Sequence, residues 1–221
     1  MTRGVTSALG SCPATRVKTR GTPKVIRSQL DVKNWIHHEP SVDEARPSRC
    51  PWCGRASRPV GGRLGLHGHG RRERQVLGPP APGAAPELRL VLVRRYLCTR
   101  CDASMTVVPS EVLTKRLYSS AAIGMCMALF GVCAMSLSAM RALVSPFTTV
   151  GARAAAGWGS VLRWVDAVRS GRLFEVVRAI PAEWPRRKAA ERIATTLAAY
   201  APPSAAALDV VTAAFVGAHS Q

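Results

Sequence analysis

CPWCG at residues 50–54 and CTRC at residues 98–101 are the stretches whose reading decides the fold. A tight turn over Cys-x-x-Cys aims two thiolates at one point, and backbone N–H groups in the turn stabilise their charge. One such pair leaves a tetrahedral ion half coordinated, whereas two pairs close a four-sulfur site. Cys50, Cys53, Cys98 and Cys101 are therefore expected to hold one structural zinc ion. A thioredoxin-like redox pair is the competing reading of CPWC and would require a helix starting at the motif. The motif runs instead into GRASRPVGG (54–62), a poor helix start.

The two pairs are separated by 44 residues, a long spacer for one metal site, and the sequence between them accounts for it. In ELRLVLVRRYL (87–97), Leu88, Leu90 and Leu92 fall on one side, with Arg89 and Val91 on the other. A period of two indicates a half-buried strand. Gly62–Leu77 reads as an earlier strand interrupted by glycines, and GPPAPGAAP (78–86) as the loop of a hairpin.

From Glu111 the texture becomes helical. Residues 119–140 carry no charge over 22 positions, long enough to span a bilayer. Their richness in Ala, Ser, Gly, Cys and Met argues against insertion, and a break at Gly131-Val132 fits two helices, about 119–130 and 136–144. A membrane-anchored interaction protein is the alternative reading. Trp158, Val161, Leu162, Val165 and Val168 form one helical face ended by Gly171. Leu173, Val176, Val177 and Ile180 suggest a second short face, and Ala190, Ile193, Leu197 and Tyr200 a third. Leu208, Val211 and Phe215 outline a last helix opened by Ser204.

The expected class is thus α+β: a small β-hairpin zinc ribbon (48–110), a helix-turn-helix-like region (111–180) and C-terminal helices (181–221). Residues 1–47 lack sustained periodicity and read as a basic disordered arm, with Trp35 and Ile36 docking weakly. The first twenty residues contain no apolar core of signal-peptide length, which points to the cytoplasm. Of the remaining cysteines, Cys126 and Cys133 lie in apolar sequence and are expected in the core, and Cys12 has no partner spacing. His67 and His69 read as surface or phosphate-facing residues rather than ligands.

Charge points to a partner. Thirty-one Lys and Arg against thirteen Asp and Glu give +18, and the excess is +5, +7 and +6 over residues 1–49, 50–110 and 111–221. Such a spread repels itself unless a polyanion neutralises it, and nucleic acid is the commonest one. The predominance of Arg favours bidentate phosphate and guanine contacts, although high genomic G+C content also enriches Arg.

CPWCG, LHGHGRRER (66–74), RRYLCTRC (94–101), MTVVP (105–109) and RLYSS (116–120) occur in an order that resembles the N-terminal zinc ribbon of bacterial insertion-sequence transposases. It also resembles related zinc-ribbon proteins of mobile elements. The resemblance covers roughly residues 48–169 and implies a helix-turn-helix after the ribbon, with an Arg-Trp pair matched here by Arg163-Trp164. On that reading residues 158–169 form the groove helix, with Arg163 and Arg169 off its apolar face and Arg141 on phosphate. Arg71, Arg72, Arg74, Arg94 and Arg95 complete the expected nucleic-acid contacts. For each, an ordinary solvated arginine is the alternative.

Enzymatic chemistry finds no support. A transposase nuclease needs carboxylates on adjacent strands to hold divalent metals, and no acid after Asp102 lies in a strand-like run. Gly-rich phosphate loops, a nucleophile elbow and HExxH are missing, and zinc held by four cysteines has no open position for water. The expectation is a non-catalytic DNA-binding protein with no small-molecule substrate, a truncated, accessory or domesticated transposase-like product. RNA is a further possible partner, and a separate transposase catalytic subunit another.

Overall fold

A computed structural model describes residues 24–148, 158–206 and 209–220. It is α+β, with a mixed four-stranded sheet followed by packed helices.

The hairpin forms where the sequence places it, but the buried face carries Val91 and Val93, while the Leu88, Leu90 and Leu92 face is exposed. β2 (Leu66–Gly78) and β3 (Glu87–Cys98) pair antiparallel from Leu66↔Cys98 to Gly78↔Glu87. The register shifts between Gly68 and Arg71, where Gly70 adopts φ +87°, a conformation open to glycine at little cost. Gly68 also lies too close to the Val42 side chain to carry a Cβ, which would stand 2.8 Å from it.

Two strands extend this hairpin beyond the sequence expectation. β4 (Ser104–Val108) runs antiparallel to β3, and β1 (Lys24–Arg27) lies parallel to β4, giving the order β1-β4-β3-β2. Residues 24–47, expected within a disordered arm, are ordered onto this sheet. The short helix α1 (Val32–His37) is capped by Asp31, whose Oδ1 accepts the Asn34 N–H at 2.8 Å. Val32 and Trp35 are buried, and the Trp35 indole N–H donates to the Leu92 carbonyl at 2.7 Å. Tyr96 Oη donates to the Val42 carbonyl at 2.7 Å, and Glu39 receives both Arg71 and Arg94. Trp35 is almost fully buried, and an aromatic of that size removes a large apolar area from water, which ties this short segment to the sheet. Residues 1–23 of the expected arm lie outside the described residues.

The uncharged stretch 119–140 forms two helices, α2 (Ser120–Gly131) and α3 (Leu137–Val144), with Ser119 and Ser136 as N-caps. Ser120 through Phe130 are all buried, so α2 is apolar on every side because other helices surround it. Among the described residues no helix is long and apolar enough to cross a membrane. α4 (Ser160–Arg169) buries Val161, Val165 and Val168 as its periodicity implied, leaves Leu162 half-buried, and buries Trp164, which the periodicity did not include. Around α2 pack α5 (Arg186–Ala198) and α7 (Val210–Gly217); a short α6 (Pro203–Ala206) lies between these two in the chain. Small residues permit the approach: a Cβ on Gly131 would stand 2.1 Å from the Glu191 nitrogen, and one on Gly217 1.9 Å from the Leu197 carbonyl.

Three local expectations are corrected. Residues 173–180 form turns rather than a helix, with Phe174 in the left-handed region at φ 51° and Leu173, Phe174 and Ile180 buried from a non-helical backbone. The last helix is opened by Asp209, which accepts the Val211 and Thr212 N–H groups, and not by Ser204. Cys133 is exposed just past the end of α2, while Cys126 is buried as expected.

The sheet and the helices meet at the end of β2. Leu77 donates to the Leu117 carbonyl and accepts from Ser119, extending the sheet by one bridge into the strap that leads to α2. Glu111, buried in that strap, holds His219 at 2.7 Å, and Arg74 donates to the Leu113 carbonyl.

Candidate metal centre

The four thiols are brought together by two turns of the same construction. In the first, Gly54 N–H donates to the Cys50 carbonyl at 2.9 Å and Cys50 N–H to the Arg55 carbonyl at 2.8 Å. In the second, Asp102 N–H donates to the Cys98 carbonyl at 2.9 Å and Cys98 N–H to the Ala103 carbonyl at 3.0 Å. The second turn leaves the end of β3 and the first precedes β2, so the hairpin returns one cysteine pair to the other. Gly65 ties them: its carbonyl accepts the Thr99 N–H at 3.0 Å and its N–H donates to the Ser57 carbonyl at 2.8 Å. No side chain fits there, since a Cβ would approach the Ala56 carbonyl to 2.2 Å.

Cys50 and Cys101 Sγ atoms are 3.7 Å apart, Cys53 and Cys98 Sγ atoms 3.6 Å, and all four lie within 4.8 Å of one another. Sulfurs at about 2.3 Å from a tetrahedral ion stand roughly 3.8 Å apart, whereas a disulfide requires about 2.05 Å. The set therefore fits one metal ion and not a pair of disulfides. Cys50 and Cys98 are buried within the sheet core beside Leu66, Tyr96 and Met105; Cys53 and Cys101 close the outer side.

Burial pushes the Cys50 thiol up, and burial with the adjoining thiols pushes Cys101 up to about 12. Burial also opposes ionisation of Cys53, but the Arg55 N–H and the thiols of Cys98, Cys50 and Cys101 together bring it down to about 7. The Cys53 sulfur is thus partly ionised at neutral pH, and Cys50 and Cys101 must give up protons to a cation. Four protein sulfurs leave no open coordination position, so the centre is suited to holding structure and not to activating water.

The expected nucleic-acid residues are scattered by the fold. Arg71 and Arg94 converge on Glu39, and Arg94 Nε also donates to the Pro40 carbonyl at 2.9 Å. Arg74 is turned to the strap. Arg72 is exposed on β2, and Arg95 is half-buried on β3 opposite Thr106. Arg141 is half-buried in α3. On α4, Arg163 is exposed and, among the described residues, donates to Ser160 Oγ of its own helix at 3.1 Å, while Arg169 donates to the Trp184 carbonyl. Trp164, next to Arg163, is core: it stacks edge-on with Tyr118 and Trp158 at 5.1 and 5.4 Å between ring centroids. Arg187, in the basic cluster after Pro185, donates to the Phe130 carbonyl at 2.6 Å and lies over the Phe130 ring, closing the C-terminus of α2. His67 and His69 are exposed and outside the sulfur cluster.

The chain matches no family model, no curated protein and no solved structure.

Proposed function

We propose that this chain is a non-catalytic, zinc-dependent DNA-binding protein. The observation that carries the reading is the combination of a closed four-sulfur site with a +18 charge spread over every segment. Zinc is the natural occupant, because a compact tetrahedral set of thiolates favours it over harder cations that want oxygen. With its metal fully coordinated by protein, the centre serves as a rivet for the sheet.

The helices supply the groove-reading part of the proposal. α2 and α3 are two capped helices joined by a five-residue turn (132–136), and α4 buries one face while presenting Arg163 on the other. That is the construction a helix-turn-helix uses to show one helix to the major groove. Arg163 and Arg72, exposed and without a carboxylate partner among the described residues, are the foremost contacts of the set; Arg71, Arg94 and Arg169 contribute chiefly by fixing the scaffold. The order of motifs resembling transposase N-termini supports an accessory or domesticated product acting with a separate catalytic subunit.

Filter binding of the zinc-loaded chain to duplex DNA over a salt series tests this. Phosphate contacts release counterions, so affinity must fall steeply as salt rises; a salt-independent affinity, or none at low salt, rejects the proposal. Competition with RNA of equal length decides between the two nucleic acids, since DNA is expected to compete better.

A further inference from the structure

A second basic feature lies away from the cysteines, in the seam between sheet and helices. A cavity of about 350 Å³ opens there, walled by Arg27 at the end of β1, by Leu113, Thr114 and Arg116 of the strap and by the Arg172–Val176 turn after α4. Among the described residues three guanidinium groups line it against one carboxylate, that of the exposed Glu175.

Arg116 and Arg172 are the informative pair. Arg116 is half-buried, and among the described residues neither arginine lies within ion-pair distance of a carboxylate. Arg172 is exposed, and its Nε donates to Ser170 Oγ at 2.8 Å, which orients the guanidinium. Both arginines line the cavity, and burial, then the nearby Arg172 charge, lowers the proton affinity of the Arg116 guanidinium. A partly desolvated cation with a second cation nearby is unfavourable unless an anion neutralises the pair.

The backbone is held in a special shape on two walls. Lys115 (φ 60°) and Phe174 (φ 51°) both occupy the left-handed region, which disfavours residues bearing a Cβ. Such conformations concentrate at binding sites, where surrounding contacts over-determine them. Leu113, Leu173 and Phe174 are buried and give the cavity an apolar floor. The volume exceeds what one phosphate needs and falls in the range of small-ligand sites.

We propose that this seam binds a small phosphorylated ligand, with its phosphoryl oxygens between Arg116 and Arg172 and its remainder over Leu173 and Phe174. Planar guanidinium groups match phosphate oxygens bidentately. The inference stands apart from DNA binding, because the site is a cavity walled by two parts of the fold and not an open face.

Isothermal titration of the full zinc-loaded chain with inorganic phosphate and with pyrophosphate, at constant ionic strength, tests it. Saturable binding is expected, tighter for pyrophosphate. Arg116→Gln and Arg172→Gln should each weaken it about tenfold or more, Arg116→Lys should fall between, and Arg178→Gln, at an exposed arginine elsewhere, should leave it unchanged. Absence of saturation in the wild-type chain, or equal weakening by Arg178→Gln, overturns the proposal. A short DNA duplex separates the other phosphate source. If Arg116→Gln and Arg172→Gln weaken duplex binding while pyrophosphate does not bind at all, the arginines serve the nucleic-acid backbone and the small-ligand site is rejected. Circular dichroism of each variant confirms that the fold is retained, and Arg116→Lys carries the test should Arg116→Gln fail to fold.

Discussion

Gly54 and Asp102 occupy the same place in the two cysteine turns. Each comes directly after the second cysteine of its pair, each has left-handed backbone (φ 67° and 53°), and each donates its N–H to the carbonyl of the first cysteine at 2.9 Å. Asp and Asn tolerate this conformation, whereas a β-branched residue does not. Gly54→Asn is therefore expected to keep full metal content. Gly54→Val should destabilise the sheet by about 1–2 kcal/mol and weaken metal retention, although a Cβ at Gly54 meets nothing within 4 Å. Chemical denaturation of the metal-loaded variants checks this, and equal midpoints for the two would contradict it.

Cys98 is both the last residue of β3 and a member of the sulfur cluster. Cys98→Ser is expected to abolish stoichiometric zinc binding and to unfold residues 48–109, since metal-binding free energy is folding free energy in such sites. Metal analysis after gel filtration provides the measurement. One zinc per chain retained in the variant would remove Cys98 from the ligand set.

Metal affinity should rise with pH between about 6 and 8. The Cys50 and Cys101 thiols lie above their ordinary range without metal, so they are protonated at neutral pH and must release protons on binding, while Cys53, near 7, is already partly ionised. Fewer bound protons at higher pH mean less competition and tighter binding. Calorimetry in buffers of different ionisation enthalpy should report net proton release at pH 7; an affinity that is flat over this range would refute the assignment of thiolates as ligands.

Trp35→Ala should cost about 3–5 kcal/mol, the usual effect of emptying a buried aromatic site, and it also orphans the Leu92 carbonyl. Thermal unfolding followed by tryptophan fluorescence and circular dichroism would show it. A change below about 1 kcal/mol, typical of surface positions, would mean that residues 24–47 are not integral to the sheet.

The sequence alone determined what rests on local pattern. The four cysteines were legible from the spacing within each pair, the hairpin from alternation and the GPPAPGAAP loop, α2 and α3 from an uncharged run broken at Gly131-Val132, and α4 from periodicity ended at Gly171. In each case the signal is carried by residues that touch their own neighbours in the chain.

Only the tertiary structure decided where distant segments meet. β1 has four residues, too few to show a period, and exists because β4 offers it a parallel edge and the sheet buries Trp35. The apolar positions 173–180 imitated a helix but are buried from turns, since long-range packing and not local repetition places them. The arginines divided in the same way: their number is written in the sequence, but whether one meets Glu39, a carbonyl or open solvent depends on segments tens of residues away. Arg116 and Arg172 share a cavity for that reason alone, as nothing in a separation of 56 residues announces that two like charges will line one site.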